Sequence, residues 1–226
     1  MQYLIYMAII ILIPIYAQIR VKRTYNKYSQ VPSASGRNGA QTARQILDDN
    51  GLYNVTVEET RGFLSDHYDP RSKTVRLSSG NFHGQSLASA AIAAHEVGHA
   101  IQDAQNYGPL RLRHSLVPVA NIGSNLSWVL IMIGIFAQMS GMLLLGIIFM
   151  AGAVLFQVVT LPVEFNASSR AMDQVVSLGI IRQDEERETR KVLNAAAMTY
   201  VAAAAVAVLE LVRLILIYTG MTRNED

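Results

Sequence analysis

The chain has 226 residues, 51% of them hydrophobic and only 16% charged, with a mean hydropathy of +0.24. This excludes a disordered chain, which would be polar and charge-rich, and 15 Gly, 6 Pro and no Cys exclude collagen-like and disulfide-framed scaffolds. A net charge of +2 without a dense basic block excludes a nucleic-acid stripe, and the lack of cysteine removes thiolate nucleophiles, iron–sulfur clusters and thiolate zinc sites.

The charges are unevenly placed. Residues 1–19 hold no Asp, Glu, Lys or Arg, and neither do residues 114–163, a run of fifty. Every charge lies in the remaining positions, at a density ordinary for a soluble domain. Lipid-soluble and water-soluble stretches are therefore interleaved, which predicts a mostly α integral-membrane protein with about four transmembrane helices.

Residues 1–19 read as an N-terminal transmembrane anchor, its apolar run Tyr3–Ile19 being about the minimum length for a span. No basic residue precedes the run, whereas Arg20, Lys22, Arg23 and Lys27 follow it, so the basic end is predicted to stay in the cytoplasm. Residues 20–113 read as a small mixed domain. Residues 29–40 form a small-residue linker, a helix is expected over 42–49, and short strands over 54–58 and 73–77. An Ala-rich helix follows over 86–106, with Gly108-Pro109 expected to end it.

Residues 114–163 are too long for one span and read as a transmembrane hairpin, with spans near 117–136 and 142–161. The polar, Gly-containing stretch 137–141 marks the turn. A hairpin returns the chain to the side it left, so 164–191 shares a side with 20–113. These two segments carry five and 12 Lys or Arg and the turn carries none, which predicts that this side is cytoplasmic. Residues 192–226 read as a C-terminal helix and tail, with a span expected over 192–218 and Glu210 and Arg213 three apart on one face. A long amphipathic surface helix is the alternative there.

The Ala-rich helix carries His95-Glu96-Val97-Gly98-His99. Histidines at i and i+4 stand one turn apart on one face, where both imidazoles can bind a single zinc. Glu96 then lies beside the metal as a candidate general base for zinc-activated water. A helix whose histidines merely face solvent is the bland alternative. The metzincin extension would need Gly at 102 and His at 105, but the chain has Gln102 and Gln105. The candidate third ligand is Glu164, the first charge after the fifty neutral residues and predicted on the same side as His95 and His99. Ser168, at i+4 from Glu164, is a candidate for holding a ligand in orientation.

His95-Glu-Val-Gly-His-Ala-Ile-Gln102 together with Leu161-Pro-Val-Glu-Phe-Asn-Ala-Ser-Ser-Arg-Ala171 resembles the YugP-type family of neutral zinc metallopeptidases of bacterial membranes. The resemblance covers nearly the whole chain. More distantly the chain is similar to HtpX- and Ste24-type membrane gluzincins, whose second motif supplies a Glu ligand followed four residues later by an Asp. It implies a zincin-like fold for 20–113, one Zn2+ per chain held by His95, His99 and Glu164, and Glu96 as base. The Asp position is Ser168 here, a departure that removes a charge from that point.

Three further residues are weaker candidates. Arg170 could polarise a scissile carbonyl, although such an Arg is more often structural. His83 could stabilise an oxyanion, although a lone loop histidine is more often just exposed. Asp103, at i+4 from His99, could hydrogen-bond its second ring nitrogen, although a surface aspartate is as ordinary. The strand over 73–77 is offered, by analogy, as an edge to which a peptide adds. The expected function is a zinc endopeptidase of the bacterial cell membrane, with a cytoplasm-facing site near the bilayer surface. Its expected partners are the lipid bilayer and membrane-associated protein or peptide substrates, as in quality control, with oligomerisation left open. The alternative is a catalytically silent membrane scaffold retaining a structural zinc site, against which the intact Glu96 argues. A transporter would want ionisable groups within the two central spans, which have none.

Overall fold

The computed structural model describes residues 2–222. Met1 and residues 223–226, the end of the segment expected over 192–226, lie outside the described residues. Helices dominate: α1 (Gln2–Tyr28), α2 (Gly39–Asp49), α3 (Ser79–His83), α4 (Leu87–Ala104), α5 (Gly108–Phe136), α6 (Ser140–Ser177) and α7 (Glu186–Thr222). Strands β1 (Thr56–Thr60), β2 (His67–Asp69) and β3 (Thr74–Ser78) form a small sheet. The chain divides into two compact units.

One unit comprises Tyr16–Leu110 and Val163–Thr199. Its centre is α4, with fifteen of its 18 residues buried. A helix enclosed on every side needs no solvent-facing polar stripe, and alanine lets neighbours approach closely. The Ser86 side chain caps it by accepting from the Ser89 N–H. Helix α2 begins earlier than its periodicity suggested, because Asn38 and Gln41 form a reciprocal capping box that draws Gly39 and Ala40 out of the linker. Its Ile46 and Leu47 pack into one core with Val75, Leu77, Leu87 and Val97, and with Ala171, Val175 and Ile180 of the later segment.

The sheet has the order β1-β3-β2, with β1 parallel and β2 antiparallel to β3. Both short strands expected from sequence are present, displaced by one or two residues. Strand β2 is an addition: three residues give too little alternation to read. It also corrects one expectation, because β3 is the internal strand and offers no edge to a peptide. The edges are β1 and β2.

The other unit comprises, among the described residues, 2–15, Arg111–Pro162 and 200–222. Here α5 and α6 form the expected hairpin. Its turn has Gln138 in the left-handed region at φ +53°, with Met139 N–H bonded to the Gly134 carbonyl. Small residues let the two helices approach: a β-carbon on Gly134 would lie 2.5 Å from the Leu143 nitrogen, and one on Gly123 would lie 2.9 Å from the Phe149 carbonyl oxygen. The Glu210 carboxylate of α7 receives hydrogen bonds from Arg213 and from the Tyr6 hydroxyl of α1, so one carboxylate ties the two helices.

Among the described residues, α1, α5, α6 and α7 (the last counted from Gln183) are long and apolar enough to cross a membrane. Each helix runs beyond the span read from sequence. Hydropathy marks the apolar stretch, whereas the helix continues into charged residues for as long as its backbone is satisfied. Gly108-Pro109 opens α5 as well as following α4, since proline is tolerated at a first helical turn. Pro162 lies inside α6.

Candidate metal centre

All the candidate ligands belong to the unit built around α4. His95 and His99 lie one turn apart on α4, with ring centroids 4.8 Å apart and planes at 83°. Helix α6 delivers Glu164 to the same point. Its Oε2 stands 3.3 Å from His95 Nε2 and 3.5 Å from His99 Nε2. One donor atom from each of the three residues lies within 4.8 Å of the others.

This convergence depends on how closely α4 and α6 cross. Gly98, inside the motif, lies against α6: a β-carbon there would stand 2.6 Å from the Ala167 carbonyl oxygen, far inside contact distance. Ala167 and Ala171 are fully buried on the facing side. Glycine on one helix and alanines on the other bring the backbones close enough for a short glutamate side chain to reach both imidazoles.

Each imidazole is also held from behind. Ser168 Oγ lies 3.2 Å from His95 Nδ1, and Gln102 Oε1 lies 3.1 Å from His99 Nδ1. With Nδ1 engaged on both rings, both Nε2 atoms face Glu164. Two imidazoles and a carboxylate are a donor set that zinc accepts, and both the burial and the shared focus of these atoms fit such an ion. His95, His99 and Glu164 could therefore hold a metal.

Glu96 is buried on the same helix. Burial pushes its carboxyl up to about 7, helped by the negative charges of Asp66 and Glu164 and opposed by His95. The main chain of Tyr68 on β2 lies close enough to oppose that rise slightly. Edge strand β2 packs against α4. Its position is reinforced by the Tyr68 hydroxyl, which donates to Asp103 Oδ2 at 2.9 Å, and by Lys73 Nζ on the same oxygen.

The weaker candidates sit elsewhere in this geometry. Asp103 bonds Tyr68 and Lys73, while the ring nitrogen of His99 that would have faced it meets Gln102 instead. Arg170 donates from Nε to Asn166 Oδ1 and from Nη1 to Gln105 Oε1, both at 2.7 Å. His83, at the end of α3, pairs with Glu59 Oε2 at 3.2 Å on the exposed surface. Gln102, Asn166 and Tyr68 contribute to the site without standing out in the sequence. For Gln102 a signal exists, since i+3 from His99 is the same helical face. Nothing in the sequence points to Tyr68, which contributes its backbone.

Comparison with known proteins adds an independent finding. Residues 3–219 match the family described as "Putative neutral zinc metallopeptidase". The chain is also 51% identical over 203 residues, 90% of each chain, to the "Putative membrane protease YugP" of Bacillus subtilis (strain 168). No solved structure matches it.

Proposed function

Because the chain belongs to this family of neutral zinc metallopeptidases, we propose that it is a membrane-embedded, zinc-dependent endopeptidase in which Glu96 is the general base. The observation that carries this reading is the meeting of His95, His99 and Glu164 within 4.8 Å, with Glu96 beside two of them in the motif. Zinc held by those three residues would supply a Lewis acid that polarises the scissile carbonyl and makes water more acidic. The rest is done by this chain's own groups. The Glu96 carboxylate takes the proton of the attacking water and delivers it to the departing amine. Ser168, whose hydroxyl meets His95 Nδ1 at 3.2 Å, holds that ring with Nε2 facing inward.

Membrane-associated proteins are the substrates this reading favours, as in quality control. Glu164 is the first charge after fifty uncharged residues, so a ligand and an apolar run adjoin in the chain. A cell-membrane location with the catalytic side in the cytoplasm is supported by 12 and five Lys or Arg in residues 20–113 and 164–191 against none in 137–141.

The test uses the full chain in liposomes, offered casein and a single-span membrane protein, each with and without a zinc chelator. The expected result is chelator-sensitive cleavage, faster for the membrane protein. Casein cleaved in preference would overturn the substrate class, and no cleavage of either by zinc-loaded protein would contradict the peptidase reading.

A further inference from the structure

The His99 side of the site contains a hydrogen-bond chain whose polarity is fixed by chemistry at its ends. Gln102 is fully buried, one turn beyond His99 on α4. Its Nε2 donates to the Val163 carbonyl at 2.8 Å and to Asn166 Oδ1 at 2.9 Å, using both amide hydrogens on α6. A main-chain carbonyl can only accept. Asn166 Oδ1 is likewise fixed as an acceptor, because Arg170 Nε, which can only donate, bonds it at 2.7 Å. The amide of Gln102 therefore has one allowed orientation, since turning it over would set its oxygen against two acceptors. Oε1 must face His99, and an oxygen there can only accept, so the proton resides on Nδ1 and the lone pair on Nε2.

We propose that Gln102 is a positioning residue of the metal centre, which sets the tautomer of His99 and ties it to the α6 turn that carries Glu164. The assignment rests on the metal site proposed above and goes beyond it. Val163 immediately precedes Glu164 and Asn166 is two residues beyond it, so one amide holds a ligand on α4 while gripping both flanks of a ligand on α6. Ser168 does the first of these tasks for His95, with a single hydroxyl. Arg170 acts through the same chain: its guanidinium fixes Asn166, Asn166 fixes Gln102, and Gln102 fixes His99. Loss of an outer partner of a metal-bound histidine typically lowers metal affinity by about 10–100-fold.

Zinc affinity of the full chain in detergent, measured by chelator competition, tests this with wild type, Gln102→Met and Asn166→Ala. The visible absorption of the cobalt-loaded proteins reports ligand geometry, which a purely structural role would leave unchanged. Gln102→Met keeps the volume but removes every hydrogen bond, and its affinity is expected to fall by about 10–100-fold with an altered cobalt spectrum. Asn166→Ala leaves Gln102 in place and removes one of its anchors, so a smaller loss in the same direction is expected. Zinc bound by both variants within threefold of wild type, with unchanged spectra, overturns the assignment and leaves the metal centre standing. If Gln102→Met does not fold, Asn166→Ala decides alone, an unchanged affinity and spectrum overturning the proposal. Wild type that binds no zinc overturns the metal centre itself, and the proposal with it.

Discussion

Gly98 lies so close to Ala167 that a single added β-carbon would stand 2.6 Å from the Ala167 carbonyl oxygen. The motif glycine is thus the point at which the helix bearing His95 and His99 approaches the helix bearing Glu164. Gly98→Ala favours the helix by its propensity, yet the overlap falls on backbone, which cannot swing aside. The expected net effect is a loss of about 1–3 kcal/mol in stability together with reduced zinc content, measured by denaturation and metal analysis of the same preparation. A variant as stable and as zinc-rich as wild type would show that the crossing has slack.

Glu164→Gln keeps the shape of the proposed third ligand and removes its charge. Zinc affinity is expected to fall by at least the roughly 10–100-fold typical of outer partners, since this substitution acts on a proposed ligand itself. Competition with a calibrated chelator measures it. A change below threefold would remove Glu164 from the ligand set.

Asp69, at the turn from β2 to β3, accepts hydrogen bonds from Ser72 Oγ at 2.8 Å and from the Arg71 N–H at 2.9 Å. A further bond comes from Arg76, and together these hold its carboxyl well below the usual carboxylate range. A carboxyl lowered in the folded state adds stability that is present above its unfolded value, near 4, and is lost as pH falls through the folded value. Asp69→Asn is therefore expected to be less stable than wild type at neutral pH, with the gap narrowing on acidification below about pH 4. A stability difference independent of pH would contradict this.

The Glu210 carboxylate joins Tyr6 of α1 to Arg213 of α7. Glu210→Leu removes the carboxylate that pairs with the Arg213 guanidinium, at a cost of about 1–3 kcal/mol. Adding Arg213→Leu should recover most of that loss, because an ion pair replaced whole by apolar residues is often neutral. Unfolding of the single and double variants in detergent closes the cycle. Recovery failing in the double variant would mean that the pair contributes more than the removal of its own charge burden.

Legibility in the sequence followed the physics of each feature. The spans could be read because a bilayer interior penalises every charge, and fifty consecutive residues carry none. His95, Glu96 and His99 could be read because a helix fixes which residues share a face. Glu164 came from a different argument, that a hairpin returns the chain to its starting side. The groups behind the ligands were harder. Gln102 and Asn166 matter through amides whose orientation is decided by Val163 and Arg170, and such a chain exists only once two helices have packed. Strand β2 was invisible because three residues carry no period.

The central claim is that Glu96 moves the proton in a zinc peptidase, and Glu96→Gln tests it most directly. The two side chains have nearly the same shape, so zinc bound through His95, His99 and Glu164 should be retained. The measurement is zinc content and peptide-bond cleavage on the same purified samples of wild type and variant. The account predicts equal zinc in both and cleavage lost by about 100-fold or more in the variant, as removal of a general base requires. Equal cleavage by both proteins at equal zinc would contradict it.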